Sequence, residues 1–118
     1  MSDAYLTETL TKIEEVITEQ EAKAKLGKAL NYLFTLPEFE LIIGKGYIVT
    51  QLDDAVTIVT NTLDPKSPEV REALDKIVGV NRFKEYIEGI LEDAEYAPNR
   101  IEQEQDYRME VTAEVSEG

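Results

Sequence analysis

The chain has 118 residues, no cysteine, no histidine and no tryptophan, and its 25 acidic and 12 basic residues give a formal charge of −13. That length fits one domain with its own core, and a 42% apolar share is that of an ordinary globular protein, which excludes wholesale disorder. The missing residue types exclude disulfides, thiolate metal sites and histidine-based general bases, and the acidic balance disfavours direct contact with nucleic acid or an anionic membrane.

Leu6, Leu10, Ile13 and Ile17 recur at spacings of four, three and four, close to a heptad seam. Asp3 or Thr7 can cap the start of this helix. Continuing the seam meets Gln20, Ala24 and Gly27, which are poor knobs, and the apolar stripe re-phases to Leu26, Ala29, Leu30, Leu33 and Phe34. The reading is one helix over 5–34, straight or bent near Gln20–Ala24. Its narrow apolar face pairs either inside the chain or with another chain, in which case the helix protrudes.

Pro37 turns Leu36 away from the α region, so the helix stops there. Phe39, Leu41, Ile42 and Ile43 then predict a short buried helix over 37–43, with Gly44 and Gly46 turning the chain back. Residues 47–60 are rich in β-branched side chains, which favours a hairpin. Leu52, Ala55, Val56, Val59 and Leu63 nevertheless fall at helical spacing, and Thr50 with Asp53 forms an imperfect capping box. The helix, about 51–62, is preferred, with the hairpin as the alternative.

Ser67-Pro68-Glu69 is a strong helix start, with Ser67 as N-cap. Ala73, Leu74, Ile77 and Val78 form its apolar face; at Gly79 the helix either ends, with Asn81 capping a new one, or runs on into the next segment with local strain. From Arg82, Phe83, Tyr86, Ile87, Ile90, Leu91 and Ala94 mark a helix over 82–96, stopped by Ala97-Pro98-Asn99. Tyr32, Tyr47 and Tyr86 read as residues at the edge of the core.

Beyond residue 100 the pattern changes. Tyr107, Met109, Val111, Ala113 and Val115 alternate with polar residues, a period-two signature of an extended strand. With no obvious mate in the chain, three fates are open: a disordered tail, pairing with residues 47–50, or addition to a sheet edge of another subunit. From Glu85 onward eleven acids face only Arg100 and Arg108, a local charge of −9.

The expected fold is therefore mainly α: a small helical bundle of about five helices with a C-terminal extended or strand-like tail. Residues 1–99 form the helical domain and 100–118 the acidic tail. No catalytic, cofactor or metal site is expected. Glu14–Glu15, Glu38–Glu40, Asp53–Asp54 and Glu92-Asp93-Glu95 read as solvated helix faces, and Gly44-Lys45-Gly46 lacks the framework of a phosphate loop. Leu6, Leu10, Ile13, Ile17, Tyr107, Met109, Val111 and Val115 are the candidate interface residues. With no 18-residue apolar run and no signal-peptide start, a soluble protein inside the cell is expected.

Leu30-x-x-Leu33, Leu36-Pro37-x-Phe39, Gly46-Tyr47, Leu52, Asp64-Pro65 and Ile77 through Phe83 to Tyr86 form a longer pattern. Over residues 26–96 it resembles the short, acidic, helical proteins encoded among the virion-assembly genes of tailed bacteriophages. The resemblance implies a non-enzymatic protein of the host cytoplasm or the virion, with protein partners that are copies of itself or other virion proteins. A second reading, from the acidic C-terminal third alone, is an inhibitor that imitates DNA, its carboxylates standing in for phosphates.

Overall fold

The structure, a computed structural model, describes residues 3–117, and these are helical almost throughout. Helix α1 spans Asp3–Thr35. Leu36 ends it in an extended conformation, φ −82° and ψ 122°, as the residue before a proline must. A second helical stretch follows at once: α2 over Pro37–Phe39, a π-helical segment over Glu40–Thr50 and α3 over Gln51–Asn61. Helix α4 runs for 50 residues, Pro68–Glu117.

This is mainly α, as expected, but the number of elements differs: three helical stretches replace about five helices. Gly44 and Gly46 do not turn the chain. No described residue has positive φ, and both glycines lie inside the π-helix. The wider winding brings the carbonyl five residues back close to the new side chain position, and a Cβ at Gly46 would sit 2.9 Å from the Leu41 carbonyl oxygen. Thr50 does not cap α3, because the helix passes through it; its hydroxyl donates instead to the Lys45 carbonyl at 3.0 Å.

The β-branched run at 47–60 is helical, not a hairpin. Its threonines adapt by donating backwards along the helix, Thr57 to the Asp53 carbonyl at 2.8 Å and Thr60 to the Val56 carbonyl at 2.9 Å. The turn at 62–67 is built as its residues suggest. The Lys66 amide donates to Asp64 Oδ1 at 2.9 Å, and the Val70 amide to Ser67 Oγ at 3.3 Å, so Ser67 caps α4.

Helix α4 runs on through Gly79 and passes the expected stop at Ala97-Pro98-Asn99. Gly79 and Gly89 are carried inside it, each at a cost of about 1 kcal/mol. Pro98 is inside it too, and its missing N–H leaves the Ala94 carbonyl without a helical donor. Residues 100–117 are neither strand nor disordered tail but the end of the same helix. Local β-propensity loses here to packing.

Two compact units are formed, Met1–Ala29 with Ile90–Gly118, and Leu30–Gly89. The expected boundary at 99/100 falls inside α4. In the first unit α1 and α4 pair antiparallel. Their facing positions step by four and three residues: Leu6, Leu10, Ile13, Ile17, Gln20, Ala24 and Gly27 on α1; Ile90, Ala94, Ala97, Ile101, Glu104, Arg108 and Val111 on α4. Ile13, Ala97 and Val111 are essentially closed to solvent. The seam does not re-phase after Ile17: Gly27 is buried while Leu26 is exposed.

In the second unit α3 packs antiparallel on the first part of α4, with Ala55 and Ala73 both 1% exposed. The Tyr47 ring meets Phe83 edge-on at 5.3 Å, and Phe34 meets Phe39 edge-on at 5.0 Å across the break at Leu36.

A Cβ at Gly27 would overlap Ala94 Cβ, whereas one at Gly79 would meet nothing within 4 Å. Gly27→Ala is expected to destabilise by about 1–3 kcal/mol through overpacking, and Gly79→Ala to stabilise by about 0.5–1 kcal/mol. Urea titrations followed by helical circular dichroism read both signs.

Candidate interaction surfaces

The eight residues expected at interfaces divide into two groups. Ile13, Ile17 and Val111 are buried and Leu6 and Leu10 half-buried in the α1–α4 seam, so they are satisfied within the chain. Tyr107, Met109 and Val115 stay exposed on α4, Met109 by 69%. Of the two pairings open to the N-terminal seam, the one inside the chain is formed, with the C-terminal part of α4. Arg108 marks the register by donating to Glu14 Oε1 across the pair. Both side chains are substantially exposed, so this bond aligns the helices more than it stabilises them.

Near the open end of this unit lies a shallow groove of about 360 Å³, lined by Tyr5, Glu8, Lys12, Ile13, Glu104 and Tyr107 among others. Its walls mix two phenol rings, one ammonium and two carboxylates, with no single chemistry dominating. Glu104 is largely buried there and pairs with Arg100 at 3.2 Å.

The paired carboxylates occupy helix surfaces. Glu14, Glu15, Glu38, Glu40, Asp53, Asp54, Glu92, Asp93 and Glu95 are all exposed. Among the described residues no charged or polar residue is fully buried, and no cluster of three or more carboxylates could hold a metal ion. Gly44 is covered by the side chain of Glu40, and the glycine-lysine-glycine triplet is helix interior. Tyr32 and Tyr86 are more than 60% exposed instead of lying at the core edge. Among the described residues no helix is long and apolar enough to cross a membrane.

The surface that residue spacing left unnoticed is in the second unit. Gln51 and Ile58 of the second stretch share grooves with Glu72 and Lys76 of α4, so these residues mark one flank of the α3–α4 pair. By helical geometry Val56 lies toward the other flank, as Leu74 and Val78 do on α4. Val49, Val56, Leu74 and Val78 are each 43–50% exposed and Leu63 wholly so. One signal in the sequence could have exposed it: Leu74 and Val78 are not needed for the seam that Val70, Ala73, Ile77 and Val80 complete.

Comparison of the chain with family models, with curated proteins and with solved structures finds no match in any of the three.

The described placement of the tail makes a sharp contrast between two neighbouring positions. Val111→Asp is expected to destabilise the fold by about 2–4 kcal/mol, since the carboxylate would enter the seam, while Met109→Asp stays within about 0.5 kcal/mol. Denaturant unfolding of both variants checks it; equal, negligible effects would mean the tail is not packed.

Proposed function

We propose that this chain is a non-enzymatic protein–protein interaction or structural component, encoded by a tailed bacteriophage and acting in virion assembly. The observation that carries the interaction part is the exposure of aliphatic side chains in the second unit, Val56 on α3 and Leu74 and Val78 on α4. Aliphatic side chains left open to solvent are what a partner's side chains would cover. The assembly setting rests on the resemblance over residues 26–96. Partners would be copies of the chain itself or other virion proteins, met in the host cytoplasm or in the particle.

Light scattering during size-exclusion chromatography tests this reading, with the full chain run alone and mixed with virion proteins of a phage that encodes it. A mass above 13.4 kDa, or a mixed complex, is the expected result. A chain that stays at 13.4 kDa and joins none of them contradicts it.

A second reading is favoured by the charge of the first unit, where 15 acids stand against 6 basic residues for a net −9. Glu92, Asp93, Glu95, Glu102, Asp106, Glu110 and Glu114 lie exposed along its helix α4. This unit would then imitate a nucleic acid toward a basic host protein. Such binding is screened over about 10 Å at 0.1 M salt. Titration against basic nucleic-acid-binding proteins should show affinity falling at least tenfold between low and physiological salt, and salt-indifferent affinity would remove this reading.

A further inference from the structure

On the basis of that interaction reading, we infer that the groove over Gly79 in the second unit is a docking site. Its occupant is an arginine side chain carried by a basic segment of a protein partner.

At Gly79 the chain's own packing gives no reason for a glycine. The residue lies inside α4, where glycine is a poorer helix former than alanine, and no described residue has a positive φ. A Cβ at Gly27, Gly44 or Gly46 would meet Ala94, the Glu40 carboxylate or the Leu41 carbonyl. At Gly79 it would meet nothing within 4 Å. What it would enter is an open groove of about 300 Å³ between α4 and the residues Tyr47 and Gln51 opposite. Bare backbone lining a groove lets a flat group from outside come close, a use for glycine that no contact within the chain supplies.

The lining indicates which group. Val80, 2% exposed, gives an apolar floor. Tyr47 forms one wall, its ring held edge-on against Phe83 at 5.3 Å. Gln51, Glu72 and Asp75 bring oxygen acceptors, and Lys76 brings one ammonium. An aromatic ring, carboxylates and bare backbone together suit a guanidinium. It stacks on a phenol, donates from a flat fork to carboxylates, and carries a methylene stem for the apolar floor. Glu72 and Asp75 are exposed, and they share the next groove with Lys66 and Arg71. Among the described residues neither carboxylate is in an ion pair. Small-molecule sites are enclosed clefts of about 300 Å³ and upward, so an open groove at that lower limit suits a side chain presented by a larger partner.

Charge points the same way. One positive charge against two negative leaves the groove at −1, and the unit around it, with 10 acids to 6 basic residues, is at −4. A second copy, an acidic segment or a nucleic acid is repelled by this field, and a basic segment is attracted.

The test is a titration of the full chain with a capped hexapeptide of alternating arginine and glycine, followed through amide resonances by NMR. Saturable shifts are expected at Tyr47, Gln51, Gly79 and Val80, with affinity about threefold above that of the matched lysine peptide. Gly79→Ala and Gly89→Ala should both raise the thermal midpoint, since a Cβ has open space at each. Only Gly79→Ala, whose methyl enters the groove, should weaken the peptide, by about tenfold. Asp75→Asn should weaken it and Lys76→Gln tighten it, each about threefold. Shifts confined to α4 beyond Ile90 would put the peptide on the acidic first unit and overturn the site. Equal affinity for wild type and Gly79→Ala, or for the two peptides, would overturn it as well. Mixing with virion proteins separates this site from the wider reading. A Gly79→Ala chain that joins them as tightly as wild type overturns the groove and leaves the interaction reading standing. A wild-type chain that holds the arginine peptide at Gly79 but joins no virion protein supports the groove and overturns the virion setting.

Discussion

At Gly27 and Ala94 two helices come together with almost nothing between their backbones, and the first unit takes its register from that approach. Once these two residues face each other, the four-and-three stepping of α1 and α4 sets every other pair toward the chain ends. Ile13, Ile17, Ala97 and Val111 close the seam, and Arg108 reaches Glu14. Pro98 sits on α4 beside this point, four residues after Ala94, and costs the helix a hydrogen bond without ending it. A glycine that looked like a weakness in an apolar stripe is the residue that lets the helices touch.

The same constraint governs what is left uncovered. A helix pair buries one row of side chains per helix, and a further apolar row needs another layer. In the second unit Ala55 and Ala73 draw α3 and α4 close, which places Val56, Leu74 and Val78 at the margin of the seam. Charge follows the same division. The first unit holds nine of the thirteen net negative charges, and the second carries four.

Much of the local structure was legible in the residues. Helix α1 was placed to within two residues at its start and one at its end, and α3 to within one. Ser67 and Pro68 opened α4 as their chemistry dictates. Three features were not legible, for related reasons. Gly79, Gly89 and Pro98 are strong breakers in isolation, yet a 50-residue helix packed along most of its length outweighs the few kcal/mol they cost. Tyr107 to Val115 alternate as a strand would, but only Val111 is buried; the seam runs through Glu104 and Arg108, polar residues that an apolar count passes over. The π-helix at Glu40–Thr50 has no signature beyond its two glycines. The exposure of Val56, Leu74 and Val78 was hidden for a fourth reason, since a residue at the edge of a seam has the same spacing as one inside it.

The antiparallel pairing of the chain's two ends is the claim from which the register, the fate of the acidic tail and the loss of Ile13 and Ile17 as interchain contacts all follow. Amide hydrogen exchange over residues 100–115 measures it most directly. Protection within tenfold of that over 90–99 is the predicted result, because both belong to one packed helix. Exchange over 100–115 at the rate of an unstructured peptide, with 90–99 still protected, would contradict it.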